Sequence, residues 1–199
     1  MPTPPIKAAD GMTRAPGAEE AQGDPGGNGS PQLFLVVLGG RAAGAHIELH
    51  DVRFVVGPTL EATLPALRSQ WFGRRRGLHI DSYMAVRQVG AFAVELRREP
   101  FIGIEKLWFV NVGGYQAHLL AEEHAFGLVV ATTAPGAKRQ ALAHWLPDSQ
   151  SRHKDDLHAL EAVDDCLPLE GVGGWQVHLI PTTEPAPPQR PDWFGYRPI

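Results

Sequence analysis

A single cysteine, Cys166, stands in the 199 residues. That scarcity excludes an intramolecular disulfide framework and any zinc site built on several thiolates. No apolar run approaches the roughly 20 residues that a membrane helix needs, so no membrane partner is expected. The opening Met1-Pro2-Thr3-Pro4-Pro5 has no apolar stretch of the kind found in secretory leaders. The expectation is a soluble, cytoplasmic protein. An excess of basic charge is also missing: Lys plus Arg is 18 against 22 for Asp plus Glu, a net charge of −4. Nucleic acid is therefore not the expected partner, because wholesale wrapping of it calls for a basic domain. There is no G-x-S-x-G, and Cys166 lies beside Asp164 and Asp165, whose charge disfavours a thiolate, so nucleophilic catalysis has little support.

What is present is unevenly spread. Of 18 prolines, six fall in residues 1–31 and six in 181–199. The first segment is rich in Gly and Pro and poor in large apolar groups. Its burial cannot offset its ordering entropy, so 1–31 is expected to be disordered. Residues 181–199 read as a Pro-rich, extended tail ending in Trp193, Phe194 and Tyr196. Those aromatics are expected to dock on the chain's own surface or a copy of it. The functional reading makes them a short motif for a protein partner.

Between the tails the chain repeats itself. Leu33 to Gly40 returns as Leu107 to Gly114 at an offset of 74 residues, and the offset carries Glu48 and His50 onto Glu122 and His124. It also carries Trp71 onto Trp145, His79 and Asp81 onto His153 and Asp155, and Val89 onto Val163. The register then slips: Gly90 to Leu96 matches Gly173 to Leu179 at an offset of 83, which puts nine extra residues near Cys166. Two copies of one unit follow, 32–98 and 106–180.

Each copy reads as strand, strand, helix, strand, strand. Leu33–Leu38 and Leu107–Val112 are apolar runs of strand length, and Val52–Val56 is a second strand. Leu60, Leu64, Leu67 and Trp71 make a helical stripe, with Pro65 placing the start of regular helix near Thr63. In copy two, Thr133 caps and Pro135 lies in the first turn. His79–Met84 reads as a third strand, although its counterpart Asp156–Ala162 looks more helical. Phe92–Leu96 and Trp175–Leu179 alternate as strands. The predicted fold class is α+β: two tandem β-grasp (ubiquitin-roll-like, ββαββ) repeats, a helix over a mixed sheet in each, packed about a pseudo-two-fold. Ferredoxin-like repeats are the alternative, and they need a second helix per copy.

Two short pairs recur, Glu48-x-His50 with Glu122-x-His124 and His79-x-Asp81 with His153-x-Asp155. Residues i and i+2 of a strand share a face, so each pair presents an imidazole and a carboxylate to one point. Such a set suits a divalent metal or an acid–base pair. The acid–base or ligand-binding candidates are Glu48, His50, Asp51, Glu122, His124, His79 and Asp81. Pooled across a two-fold, the metal candidates are Glu48, His50, Glu122 and His124. The competing reading makes these groups satisfied polar residues that hold strand ends, and it is the favoured one, since E-x-H and H-x-D are not specific metal spacings. Gly39-Gly40-Arg41 lacks the phosphate-loop pattern and is read as a positive-φ turn. Arg74-Arg75-Arg76, with Arg68 a helical turn before, has the chemistry to grip phosphate. Copy two has Asp148-Ser149-Gln150 there, and a solvated loop is the favoured reading.

Leu38-Gly39-Gly40-Arg41, Ile47 to Val52, Trp71-Phe72-Gly73 and Leu78-His79-Ile80-Asp81 together resemble a bacterial family catalogued as domain of unknown function 1543. The resemblance covers residues 33–98 well, with the second copy a looser echo, and it implies a one- or two-copy domain with no assigned activity. Copy two departs where Asp51 becomes Ala125 and Arg41 becomes Tyr115. The functional expectation is a module binding a small ligand or a protein. The alternative is a metal-dependent enzyme, such as a hydrolase, using the paired Glu and His residues.

Overall fold

The structure is a computed structural model that describes residues 29–114, 120–121, 123–145 and 166–199. The expected disorder of 1–31 falls almost wholly outside these residues, as do Glu122, His153, Asp155 and the Asp156–Ala162 segment. Among the described residues no helix is long and apolar enough to cross a membrane.

In the first repeat β1 (Gln32–Gly40) pairs with β2 (Leu49–Gly57), and α1 (Leu60–Gln70) leads to β3 (His79–Ala85) on the other side of β1. The second repeat follows the same course with β6 (Lys106–Gly114), β7 (Glu123–Ala131), α2 (Ala134–His144) and the short β8 (Cys166–Pro168). The bounds of β1, β2 and α1 reappear 74 residues later without a shift. Between the repeats lies a sheet of β4 (Gln88–Val89), β5 (Phe92–Arg97), β10 (Trp175–Pro181) and β9 (Gly171–Val172), in the order β4-β5-β10-β9.

The β5–β10 register matches Glu95 to His178, Val94 to Leu179 and Leu96 to Val177. Glu95 and His178 are also equivalent at the offset of 83, so this pairing is one that a local two-fold through them generates. The hairpin turns obey the same symmetry. Gly90 and Gly173 take φ of 57° and 58°, a left-handed conformation that costs glycine nothing.

Alternation along the strands sorts the core into three parts. Phe34, Val36 and Leu38 of β1 face α1, burying Leu60, Leu67 and Trp71. Their equivalents Trp108, Val110 and Val112 face α2, against Ala137 and Ala141. Leu33 and Leu35 turn the other way, onto Leu107, Val177 and Leu179, and so join the repeats. A leucine side chain fully buried there contributes about 1.5–3 kcal/mol. A repeat alone would expose that face.

Several expectations need correction. The mixed sheet of a β-grasp is not seen among the described strands: every pairing is antiparallel, and β5 lies in a different sheet from β1. The described residues carry one helix per repeat, where ferredoxin-like units need two. Helix α1 begins at Leu60, not near Thr63, because Oγ1 of Thr59 accepts from Ala62 N (3.3 Å) and Leu60 is buried. Pro65 thus sits inside the helix. The nine-residue slip lies before Cys166, not after Val163: β8 pairs with β6 as residues 83–85 pair with β1, so the offset is already 83.

The C-terminal end is ordered. β11 (Trp193–Pro198) adds to the free edge of β3, completing the order β11-β3-β1-β2. Trp193 stacks on Tyr83 at 6.2 Å and 19°. Asp192 Oδ2 accepts from Ala85 N (2.7 Å), and Ile199 N donates to Leu78 O (3.0 Å). Upstream, the Gln189 amide pairs with both backbone groups of Leu128 on β7, at 2.6 and 2.8 Å, so the segment ties the two repeats together.

Candidate functional site

The two glycines ending β1 position the site. They were expected to form a positive-φ turn, yet both lie in the strand, and neither has positive φ. They are needed for their missing side chains. A Cβ on Gly40 would lie 2.8 Å from the Trp71 ring, and one on Gly39 would lie 2.4 Å from Nε2 of His79 and 3.0 Å from Asp81 Oδ2. Gly39 pairs with His50 on one side and His79 on the other. Both imidazoles therefore start beside a position with no side chain of its own.

Over that gap the two pairs of the first repeat interleave. His79 Nε2 lies 2.8 Å from Glu48 Oε1 and 3.1 Å from Asp81 Oδ1, and His50 Nε2 lies 3.2 Å from Asp81 Oδ2. A β-bulge at Val37/Leu38 pairs Leu38 with Ile80 and Val37 with Ser82, leaving Asp81 as the extra residue. His79 forms the buried floor, its side chain 4% exposed, while His50 at 54% forms the mouth. The ring of Tyr196 from β11 covers His79, with centroids 4.1 Å apart.

The hydrogen bonding of His79 is the decisive feature. Nδ1 lies 2.9 Å from the carbonyl of Gly77, while Nε2 faces the two carboxylate oxygens. A neutral imidazole has one N–H, so it cannot satisfy acceptors on both sides. The arrangement calls for either a proton shared between Nε2 and a carboxylate or a metal ion there. Glu48 Oε1 is buried and has no hydrogen-bond partner, despite its approach to His79. Glu48, His50 and His79 each offer a ligand atom, and these lie within 4.8 Å of one another.

The other candidates lie elsewhere. Asp51 pairs with Arg53 (2.5 Å) and accepts from Val52 N (2.8 Å), away from the cluster. His124 sits opposite Gly113 on β7, with Nδ1 3.3 Å from Asn111 Nδ2 of its own repeat. The set able to hold a metal among the described residues comes from the first repeat alone. Trp193 and Tyr196 pack on sheet residues, and Phe194 is exposed. Cys166 is buried beside α2.

Gly39, the Gly77 carbonyl and the covering role of Tyr196 were not legible as parts of a site. The spacing Gly77-Leu78-His79 is the only local trace of the second. Near Tyr196, a hydrogen bond from its own backbone amide lowers the Glu61 carboxyl below its ordinary 4.5, with Arg197 (3.1 Å) adding to this against opposing desolvation. Desolvation raises the Tyr83 phenol above 10.0, reinforced by Glu61 and Asp192.

These features define a duplicated α+β protein with a His/carboxylate cluster in its first repeat. The family described as Domain of Unknown Function (DUF1543) matches residues 45–96 and again 119–167, starting points 74 residues apart, and the chain belongs to this family. It is similar to the solved structure of a protein Il1583 from Idiomarina loihiensis, at 38% identity and a TM-score of 0.65. That match covers 84% of this chain and 97% of the other. No curated protein matches the chain.

Proposed function

We propose that the protein is a ligand-binding module whose first repeat holds a divalent transition-metal ion through Glu48, His50 and His79, with Asp81 beside both rings. The observation that carries this is His79, whose two ring nitrogens both face oxygen acceptors, the Gly77 carbonyl at Nδ1 and the buried Glu48 Oε1 at Nε2. Two imidazole nitrogens with carboxylate oxygen suit zinc and similar ions. Bonds of about 2.0–2.2 Å in a tetrahedral site put neighbouring donors about 3.3–3.6 Å apart, and the three ligand atoms of this set lie within 4.8 Å of one another. The Gly77 carbonyl fixes the floor imidazole in the way outer partners orient metal-bound histidines.

An enzyme is the second reading. Three protein donors with an exposed mouth at His50 leave room for water or substrate, as at catalytic zinc sites.

The test is elemental analysis of tag-free, chelator-free protein, as wild type, His50→Ala and His124→Ala. One metal per chain in wild type and His124→Ala, lost in His50→Ala, is the expected result. No metal in wild type, and no uptake on zinc titration, overturns the proposal and leaves the cluster as scaffold.

A further inference from the structure

We infer that this same site takes a small ligand through a phosphate monoester dianion, gripped by Arg41 and Arg74; the inference rests on the metal reading above. Arg41 directly follows the glycine pair, two residues from Gly39, a strand distance of about 7 Å. Its carbonyl accepts from Arg74 N at 2.6 Å, and Trp71 Nε1 donates to Arg74 O at 3.2 Å. The 71–77 loop is thus held to Arg41 at one end, and at the other it supplies the carbonyl that orients His79.

Arg41, Arg74, Arg75 and Arg76 are all exposed. Among the described residues their side chains have no hydrogen-bond or ion-pair partner, as is also true of the scattered Arg68, Arg139 and Arg190, whereas Arg53, Arg87, Arg97 and Arg197 are each paired with a carboxylate. The backbone thus brings Arg41 and the start of the Arg74-Arg75-Arg76 run together next to the glycine pair, in a chain of net charge −4. The feature is confined to this repeat: the offset of 74 places Tyr115 and Asp148-Ser149-Gln150 at the corresponding positions. At the same offset the second repeat keeps Glu122, His124, His153 and Asp155 but none of these arginines, so the basic rim is not part of the shared plan.

Phosphate fits better than carboxylate on oxygen count. A phosphate monoester can give one oxygen to the metal and keep two for a bidentate guanidinium, while a metal-bound carboxylate keeps one. The metal with two carboxylates is near neutral, so the arginines supply the attraction for the dianion.

The experiment is calorimetry on zinc-loaded full chain, titrated with inorganic phosphate, with phenyl phosphate and with a single-stranded oligonucleotide. Wild type is compared with an Arg41→Ala/Arg74→Ala pair and with Arg139→Gln, which removes a charge from α2 of the other repeat. Binding of both phosphates by wild type and Arg139→Gln, weakened about tenfold or more in the paired variant, is the expected result. Metal content of wild type is read separately, and its absence overturns the metal reading. Metal bound but phosphate bound no better than by the paired variant overturns only the phosphate inference. So does an oligonucleotide that binds far more tightly than phenyl phosphate.

Discussion

Gly39 is the wall against which His79 rests: a Cβ there would lie 2.4 Å from Nε2 and 2.8 Å from Cε1. The ring cannot swing aside freely, because Nδ1 is held by Gly77 and Tyr196 lies over its face. Gly39→Ala is therefore expected to displace the imidazole, lowering stability by about 1–3 kcal/mol, as overpacking does. Thermal unfolding together with zinc titration checks this. Unchanged zinc uptake in Gly39→Ala would mean that His79 is not a ligand.

Metal binding and folding separate at the two histidines. His50 is half exposed and His79 is buried. In metal-free protein, His50→Ala is expected to melt close to wild type, while His79→Ala melts lower because the Gly77 carbonyl loses its partner. Zinc at about 100 times its dissociation constant stabilises wild type by about 2.7 kcal/mol. That gain should vanish in both variants and persist in His124→Ala. Melting curves with and without chelator decide it.

Removing the C-terminal strand's anchor should be felt in the first repeat. Trp193 is only partly buried against the core under α1, so Trp193→Ala is expected to cost about 2 kcal/mol, less than the 3–5 kcal/mol of a fully buried aromatic. Urea unfolding measures the cost. An unchanged midpoint would show that the Trp193 ring contributes nothing to stability.

Docking of the same strand should depend on pH in a known direction. The folded-state value of Glu61 lies below its ordinary 4.5, so its contribution is present above that pH and is lost as pH falls through the lowered value. Tyr83 is raised above 10.0, so its contribution is present below 10.0 and is lost as pH rises through the raised value. Between these limits neither group should make stability vary with pH. In Glu61→Gln the acid-side loss should shrink, as read from urea midpoints between about pH 3 and 6.

Leu33 and Leu107 are equivalent residues, each 1% exposed, that meet in one cluster between the repeats. Each change to Ala is expected to cost about 2–5 kcal/mol. Because they share partners, the double variant should depart from the sum of the singles. Strict additivity would mean that the repeats do not share a core.

The duplication was legible because a constant offset between rare residues survives folding. The offset of 74 predicts equal bounds for the first two strands and the helix of each repeat, and those bounds agree. The helix start near Thr63 was misread because Pro65 was weighed without the burial of Leu60, which only packing supplies. Period-2 spacing put His50 with Glu48 and His79 with Asp81. The second of these pairs meets at 3.1 Å, and the pairing of strands across Gly39 also joins Glu48 to His79 and His50 to Asp81.

The sequence by itself therefore determined the repeat, most of its elements and which residues carry imidazole and carboxylate, since these follow from local pattern. Tertiary structure alone decided that the first repeat gathers its own four groups and that β11 brings Tyr196 over His79. Strand order and bulge placement are set by the packing of the whole sheet, and no local run of residues encodes them.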